Sequence, residues 1–416
     1  MGIESARAYY KGGAVRQHGA MEFSEAPVDL DTVRLYRLGR LREELAKRDY
    51  AGLLLFDQLN TRYATDATNM QIWCSHYETR CVFVATEGPV VLFDYADHPH
   101  LAEGLPTIDD YRVMPVFYYF AAGSNAEEMA RRFGAEIAEL VKRHGGGNKR
   151  LAVDLLSPLG SDAIRAHGIE LMDGQAVTEH ARAIKSAEEL VLIKEAMAVC
   201  EAGMAAMQEA LRPGITENAL WAKLHEANIR LGGEWIETRL LSSGPRTNPW
   251  FRECSMRQIE AGDMVSFDTD LIGPYGYCAD ISRSWVAGGR PTDAQRRLYA
   301  KAYEQIQHNI ALLRPGITFS EVSAQAWPIP EEFLSNRYTS LIHGVGLADE
   351  YPSLRHWVDH EGKGYDGIVE AGMTLCVESF IGSEGGREGV KLEEQVLITD
   401  KGAELLSHYP MQLDWL

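Results

Sequence analysis

The sequence predicts an α/β (α+β) chain of two domains, the second built as an internal pseudo-twofold repeat. Three observations predict it. In the first part of the chain, short apolar runs alternate with segments of helical period, the pattern of strands and helices packed in layers. In the second part, Leu211-Arg-Pro-Gly-Ile-Thr216 recurs as Leu313-Arg-Pro-Gly-Ile-Thr318, each copy lying between two helical patterns. Further on, Glu260-Ala-Gly-Asp-Met-Val-Ser-Phe-Asp268 is matched by Glu370-Ala-Gly-Met-Thr-Leu-Cys-Val-Glu378. In both copies a Glu-Ala-Gly turn leads into an apolar strand that ends in a carboxylate, and a second acid follows, Asp280 or Glu393. One order of elements written twice marks a duplicated unit.

The elements follow in order. Residues 1–30 show little periodicity and read as an arm that Tyr9 and Tyr10 would anchor. The first domain spans 31–183. Asp31-Thr32 is expected to cap a helix over 33–47, with Val33, Leu35, Leu38, Leu41 and Leu45 on its apolar side. The apolar runs at 51–56, 81–85, 90–93 and 151–155 read as buried strands, and 125–143 reads as a helix closed by Gly145-Gly-Gly147. The cluster Phe117-Tyr-Tyr-Phe120 is expected to pack in the core. The second domain spans 184–416. Ser186-Ala-Glu-Glu189 forms a capping box at the start of a helix to about residue 210, and Thr216 and Thr292 cap later helices. Asp268 and Asp270 are placed on one strand, where residues two apart point to one face.

Composition excludes several classes. The formal net charge is −19, against nucleic-acid binding, which needs a basic surface. An acidic balance favours a cationic ligand mildly, and solubility is the preferred account of it. Six cysteines show no paired spacing, as expected for reduced thiols in a cytoplasm. The first residues lack a signal-peptide pattern, and no apolar run is long enough to span a membrane.

The acids carry the chemistry. Asp268, Asp270, Asp280, Glu378 and Glu393, with His343, give five carboxylates and one imidazole across the two repeat halves. Carboxylates bridge cations, and hard oxygen donors with a single nitrogen suit manganese, iron, cobalt or zinc, here two divalent ions side by side. Carboxylates buried this close would repel unless cations lay between them.

These residues resemble the creatinase, prolidase and methionine aminopeptidase superfamily, whose catalytic domain is the pita-bread fold. The resemblance runs through Arg34-Leu-Tyr-Arg-Leu-Gly-Arg-Leu-Arg and Arg62-Tyr-Ala-Thr in the first domain and Ala183-Ile-Lys-Ser-Ala-Glu-Glu-Leu190 at the junction. It continues in Gly276-Tyr-Cys-Ala-Asp-Ile-Ser-Arg283, His343-Gly-Val-Gly346 and Leu392-Glu-Glu-Gln-Val396. It implies a creatinase-type N-terminal α/β domain, a pita-bread C-terminal domain, the six residues above as dimetal ligands, and a homodimer. Asp268 and Asp270 straddle the place where the family's first aspartate falls, which implies that both bind.

A second departure bears on activity. The superfamily's peptidases shuttle protons with a histidine shortly after His-Gly-x-Gly; here that position holds Glu350, with Asp349 beside it. The loop Thr247-Asn-Pro-Trp-Phe251 lacks the other expected histidine, and His356 and His360 lie downstream at a different spacing. Without such groups amide hydrolysis loses its acid and base. Within the superfamily the pattern is most similar to the dimethylsulfoniopropionate lyases. That resemblance implies a small zwitterionic sulfonium substrate, Asp349 as the catalytic base, and iron as the metal, with zinc or manganese next. Trp250, Tyr338, Tyr351 and Trp357 are candidates to hold the sulfonium, since aromatic faces attract cations. A metallopeptidase of the Xaa-Pro dipeptidase or aminopeptidase type and a non-catalytic binding module are the alternatives.

Overall fold

The computed structural model describes residues 28–416. The rest of the expected N-terminal arm, with Tyr9 and Tyr10, lies outside the described residues. The chain divides into two compact units, Asp29–Arg182 and Ala183–Leu416.

In the first unit, α1 (Leu30–Lys47) begins earlier than expected, because Asp29 rather than Asp31 is its cap: the Asp29 carboxylate accepts from Asp31 N at 3.1 Å and from Thr32 Oγ1 at 2.9 Å. Six strands follow, β1 (Gly52–Leu55), β2 (Cys81–Ala85), β3 (Val90–Asp94), β4 (Asp110–Val113), β5 (Arg150–Val153) and β6 (Glu170–Asp173). They form one mixed sheet in the order β4-β3-β2-β1-β5-β6. Helix α2 (Ala126–His144) lays Phe133, Ile137 and Leu140 against Leu54, Phe83, Phe93 and Leu151 of the sheet. Phe117 joins this core, whereas Tyr119 and Phe120 of the same cluster are exposed.

The second unit shows its duplication in its hydrogen bonds. Helix α3 (Ala187–Ala210) starts at the Ser186–Glu189 capping box and is apolar and buried on most of its circumference, as a central helix must be. It leads through the first Pro-Gly turn to α4 (Glu217–Arg230), and α5 (Asp293–Leu312) leads through the second to α6 (Phe319–Gln325). Thr216 and Thr318 cap the following helices in the same way. Gly214 N donates to Ile259 O at 2.8 Å, and Gly316 N to Val369 O at 2.9 Å. Both glycines hold a left-handed φ, +92° and +87°, that a side chain would oppose.

The first half contributes short strands: β7 (Trp235–Ile236), β8 (Leu241–Ser243), β9 (Met264–Asp268), β10 (Leu271–Ile272), β11 (Cys278–Ala279) and β12 (Ser282–Val286). They pair as β11-β10-β7 and β12-β9-β8. The second half forms an antiparallel sheet β14-β13-β15-β16-β17 from β13 (Ser340–Val345), β14 (Asp349–Arg355), β15 (Thr374–Ile381), β16 (Val390–Thr399) and β17 (Gly402–Leu405). Its apolar face packs under α5 through Tyr299, Ile306, Ile342, Leu375, Val377, Leu392 and Val396. The halves meet at Ser284, whose hydroxyl donates to Lys391 O at 2.9 Å and accepts from Lys391 N at 3.1 Å. Among the described residues no helix is long and apolar enough to cross a membrane.

Candidate metal centre

The strands of both repeat halves bring their acids to one place, although the expected strand that ends in a carboxylate holds only for Asp268, since β15 and β16 run on past Glu378 and Glu393. Asp268 closes β9, Asp280 lies between β11 and β12, His343 is on β13, Glu378 on β15 and Glu393 on β16. Asp268, Asp270 and Asp280 form one group of ligand atoms, Asp268, Glu378 and Glu393 a second, and Asp280, His343, Cys376 and Glu393 a third, each within 4.8 Å. The expectation that Asp268 and Asp270 share a strand is corrected. The strand ends at Asp268, and Asp270 takes a left-handed φ of +35° in the following turn. Its backbone N–H donates to Asp280 Oδ1 at 3.2 Å and its carboxylate accepts from Thr238 Oγ1 at 2.5 Å, so the turn itself delivers it to the cluster.

Charge dominates this site. Glu378 and Glu393 stand directly opposite each other across β15 and β16, an arrangement that destabilises a sheet when both are ionised. His343 Nε2 lies 3.0 Å from Glu378 Oε1, 3.5 Å from Glu393 Oε1 and 3.7 Å from Asp280 Oδ2. Its Nδ1 lies 3.0 Å from the Gly344 carbonyl, so the proton placed there leaves Nε2 to face the acids. Burial, reinforced by the neighbouring carboxylates, pushes Asp268 and Asp280 well above the usual carboxylate range and Asp270 to about 7. Burial also opposes ionisation of Glu393, but Lys391 and His343 more than offset it and hold Glu393 low. The Glu393 Oε1 atom is buried without a hydrogen-bond partner. A donor set of this kind, rich in buried anionic oxygen with one imidazole and an orphaned carboxylate oxygen, fits divalent cations.

Sequence reasoning missed three members of the cluster. Lys391 is fully buried, with Nζ 2.9 Å from Asp268 Oδ2, 2.5 Å from Glu378 Oε2 and 3.0 Å from Glu393 Oε2. Its position two before Glu393 on a strand, hence on the same face, was the available signal. The Ser282 hydroxyl donates to Asp268 Oδ1 at 2.6 Å and lies 2.8 Å from Glu393 Oε2. The Cys376 thiol donates to Asp280 O at 3.4 Å, and burial raises its pKa well above normal.

The other candidates separate. Asp349 opens β14, with Oδ1 3.6 Å from His343 Nδ1. Half of its side-chain surface is open, yet it borders the cluster, and desolvation there raises its pKa while His343 opposes the rise. Glu350 is buried on the opposite side of the strand, ion-paired with Lys185. Trp250 and Tyr338 flank the acids beside Lys391, whose Nζ is 5.8 Å and 5.0 Å from their ring centres. Tyr351 and Trp357 are not brought to the acids. The Tyr351 ring packs on Phe319 and Tyr365, and Trp357 is half exposed beside His356. His356 caps a short helix, and burial lowers its pKa to about 4; His360 Nε2 lies 3.3 Å from Ser320 Oγ. All six cysteines are buried and none is in a disulfide.

A duplicated unit whose strands gather acids and one histidine defines a class. The chain belongs to metallopeptidase family M24, matched over residues 191–400, and carries a creatinase/prolidase N-terminal domain over 37–184. Two relatives are named "Dimethylsulfoniopropionate lyase DddP". The one from Roseovarius nubinhibens is 44% identical over 389 residues, 92% of this chain and 87% of the relative. The one from Roseobacter denitrificans is 44% identical over the same shares. An Xaa-Pro dipeptidase from Bacillus anthracis shares the fold, with a TM-score of 0.73 and 22% identity over 91% of this chain and 99% of that one.

Proposed function

We propose that this chain is a metal-dependent lyase that cleaves dimethylsulfoniopropionate to dimethyl sulfide and acrylate. The observation that carries this reading is the pair Asp349–Glu350. Where peptidases keep a proton-shuttling histidine stands Glu350, tied to Lys185, and the residue before it, Asp349, faces His343 at 3.6 Å. The relatives named above support the substrate.

In this reading Asp268, Asp270, Asp280, His343, Glu378 and Glu393 hold two divalent cations, iron first and zinc or manganese next. Bound there, the cations would supply Lewis-acid stabilisation of the negative charge that builds on the substrate carboxylate as the adjacent carbon loses its proton. Asp349 takes that proton. The electron pair of the C–H bond becomes the new C=C bond, the C–S bond breaks, and its pair leaves on sulfur as neutral dimethyl sulfide. The raised pKa of Asp349 makes it a better base than an aspartate in water. No amine leaves and no water attacks, so the absent histidines are not required. Trp250 and Tyr338, whose rings lie beside Lys391 at the acids, are the candidates to hold the sulfonium. A homodimer belongs to the same reading.

Proton NMR of metal-loaded protein with dimethylsulfoniopropionate tests it. Vinyl resonances of acrylate should grow as the substrate methylene signals decay; substrate unchanged over hours, with protein folded and metal-loaded, overturns the proposal.

A further inference from the structure

Asp349 has little of its own to aim it. Its side chain is half exposed, and its ion-pair contact is with His343 at 3.6 Å, while the cluster's other charges act on it without such a contact. Its direction is therefore set by the backbone of the β13–β14 hairpin. The next residue is held firmly. The Glu350 carboxylate is buried and ion-paired with Lys185, itself buried. That carboxylate lies against the Gly346 backbone, where an added Cβ would meet Glu350 Oε1 at 2.4 Å. Gly346 is fixed in turn: its carbonyl accepts from Cys278 N at 2.7 Å and its N–H donates to Ala348 O at 2.9 Å. Lys185 N donates to Gly372 O at 3.0 Å, in the turn that leads into β15 and Glu378.

Successive side chains leave a strand on opposite faces. Fixing Glu350 inward therefore fixes Asp349 outward, toward His343. We propose that Lys185 and Glu350 are positioning residues, a buried ion pair beneath the hairpin tip that aims the Asp349 carboxylate at the reacting carbon. This rests on the lyase reading, in which Asp349 is the base. It gives a role to Glu350, which occupies a histidine position without histidine chemistry, and to a lysine otherwise notable only as part of the junction.

The test compares Lys185→Met, Lys185→Arg and Glu350→Gln with the parent and with Asp349→Asn. A positioning role lowers kcat per metal-loaded enzyme about 10- to 100-fold in Lys185→Met and Glu350→Gln, the scale of a small misplacement of a reacting group. KM stays within about twofold, and Lys185→Arg recovers most of kcat. Backbone hydrogen exchange across 346–352 rises about tenfold in Lys185→Met while β15 is unchanged. Parental kcat per metal-loaded enzyme together with parental exchange overturns the proposal. If Lys185→Met does not fold, the near-isosteric Glu350→Gln carries the same expectations. Asp349→Asn separates the two readings. If it retains turnover, the assignment of the base fails; if it is inactive while Glu350→Gln matches the parent, positioning alone fails. Exchange decides the pair's role even where no lyase turnover is found.

Discussion

Replacing Asp349 with asparagine keeps the size and shape of the side chain and deletes its basicity. Loss of a general base costs roughly 10²- to 10⁴-fold in rate, about 3–5 kcal/mol of barrier. The structure sets the other half of the prediction. The carboxylate is half exposed and its ionic contact with His343 is 3.6 Å long, so it resembles surface pairs that contribute about 0–1 kcal/mol to stability. For a unit of this size that shifts Tm by no more than about 2–4 °C. Asp349→Asn should thus be a folded, metal-loaded protein with near-parental KM and almost no turnover. Headspace dimethyl sulfide gives kcat and KM, elemental analysis gives metal content, and thermal unfolding gives Tm. The reasoning is refuted if turnover stays within about tenfold of parent, below the usual range for a lost base. It is refuted equally if activity falls only in step with lost metal or lost fold.

Protein purified without chelators should carry close to two equivalents of divalent metal per chain; well under one equivalent with activity retained contradicts a dimetal centre. Chelation should abolish turnover and lower Tm, because the buried carboxylates, Asp270 and Asp280 above all, then lose the cations that offset their mutual repulsion, and an unchanged Tm argues against cations in the cluster. Metal affinity should strengthen as pH rises through about 7, since below it Asp270 carries a proton that a cation must displace; competition titrations at pH 6 and 8 with equal affinity would contradict this. Light scattering should return twice the chain mass of 46.4 kDa, and a monomer mass at working concentration would remove the homodimer.

What was legible in the sequence is what local chemistry determines. The Ser186 capping box, the Thr292 cap and the paired Pro-Gly turns are short-range devices, and the structure forms them where they were read. The acids were legible because a Glu-Ala-Gly turn leads twice into an apolar segment that carries a carboxylate, although β15 runs on past Glu378. Contacts between distant residues were not. Lys185 and Glu350 are 165 positions apart, and nothing in either neighbourhood announces a buried pair. Lys391 reads as an ordinary strand residue until β9, β15 and β16 surround it. Asp270 has the alternation of a strand residue, but a turn with positive φ overrides that period. Tyr351 and Trp357 sit close in sequence to His343, yet sequence proximity says nothing about which face a ring packs on.

The central claim is that this metallopeptidase-family chain eliminates rather than hydrolyses. One preparation, loaded with iron and offered dimethylsulfoniopropionate in one vessel and an Xaa-Pro dipeptide in another, tests it most directly. Dimethyl sulfide in the headspace with equimolar acrylate in solution, and an intact dipeptide, is the predicted result. Free proline from the dipeptide and no dimethyl sulfide would contradict it.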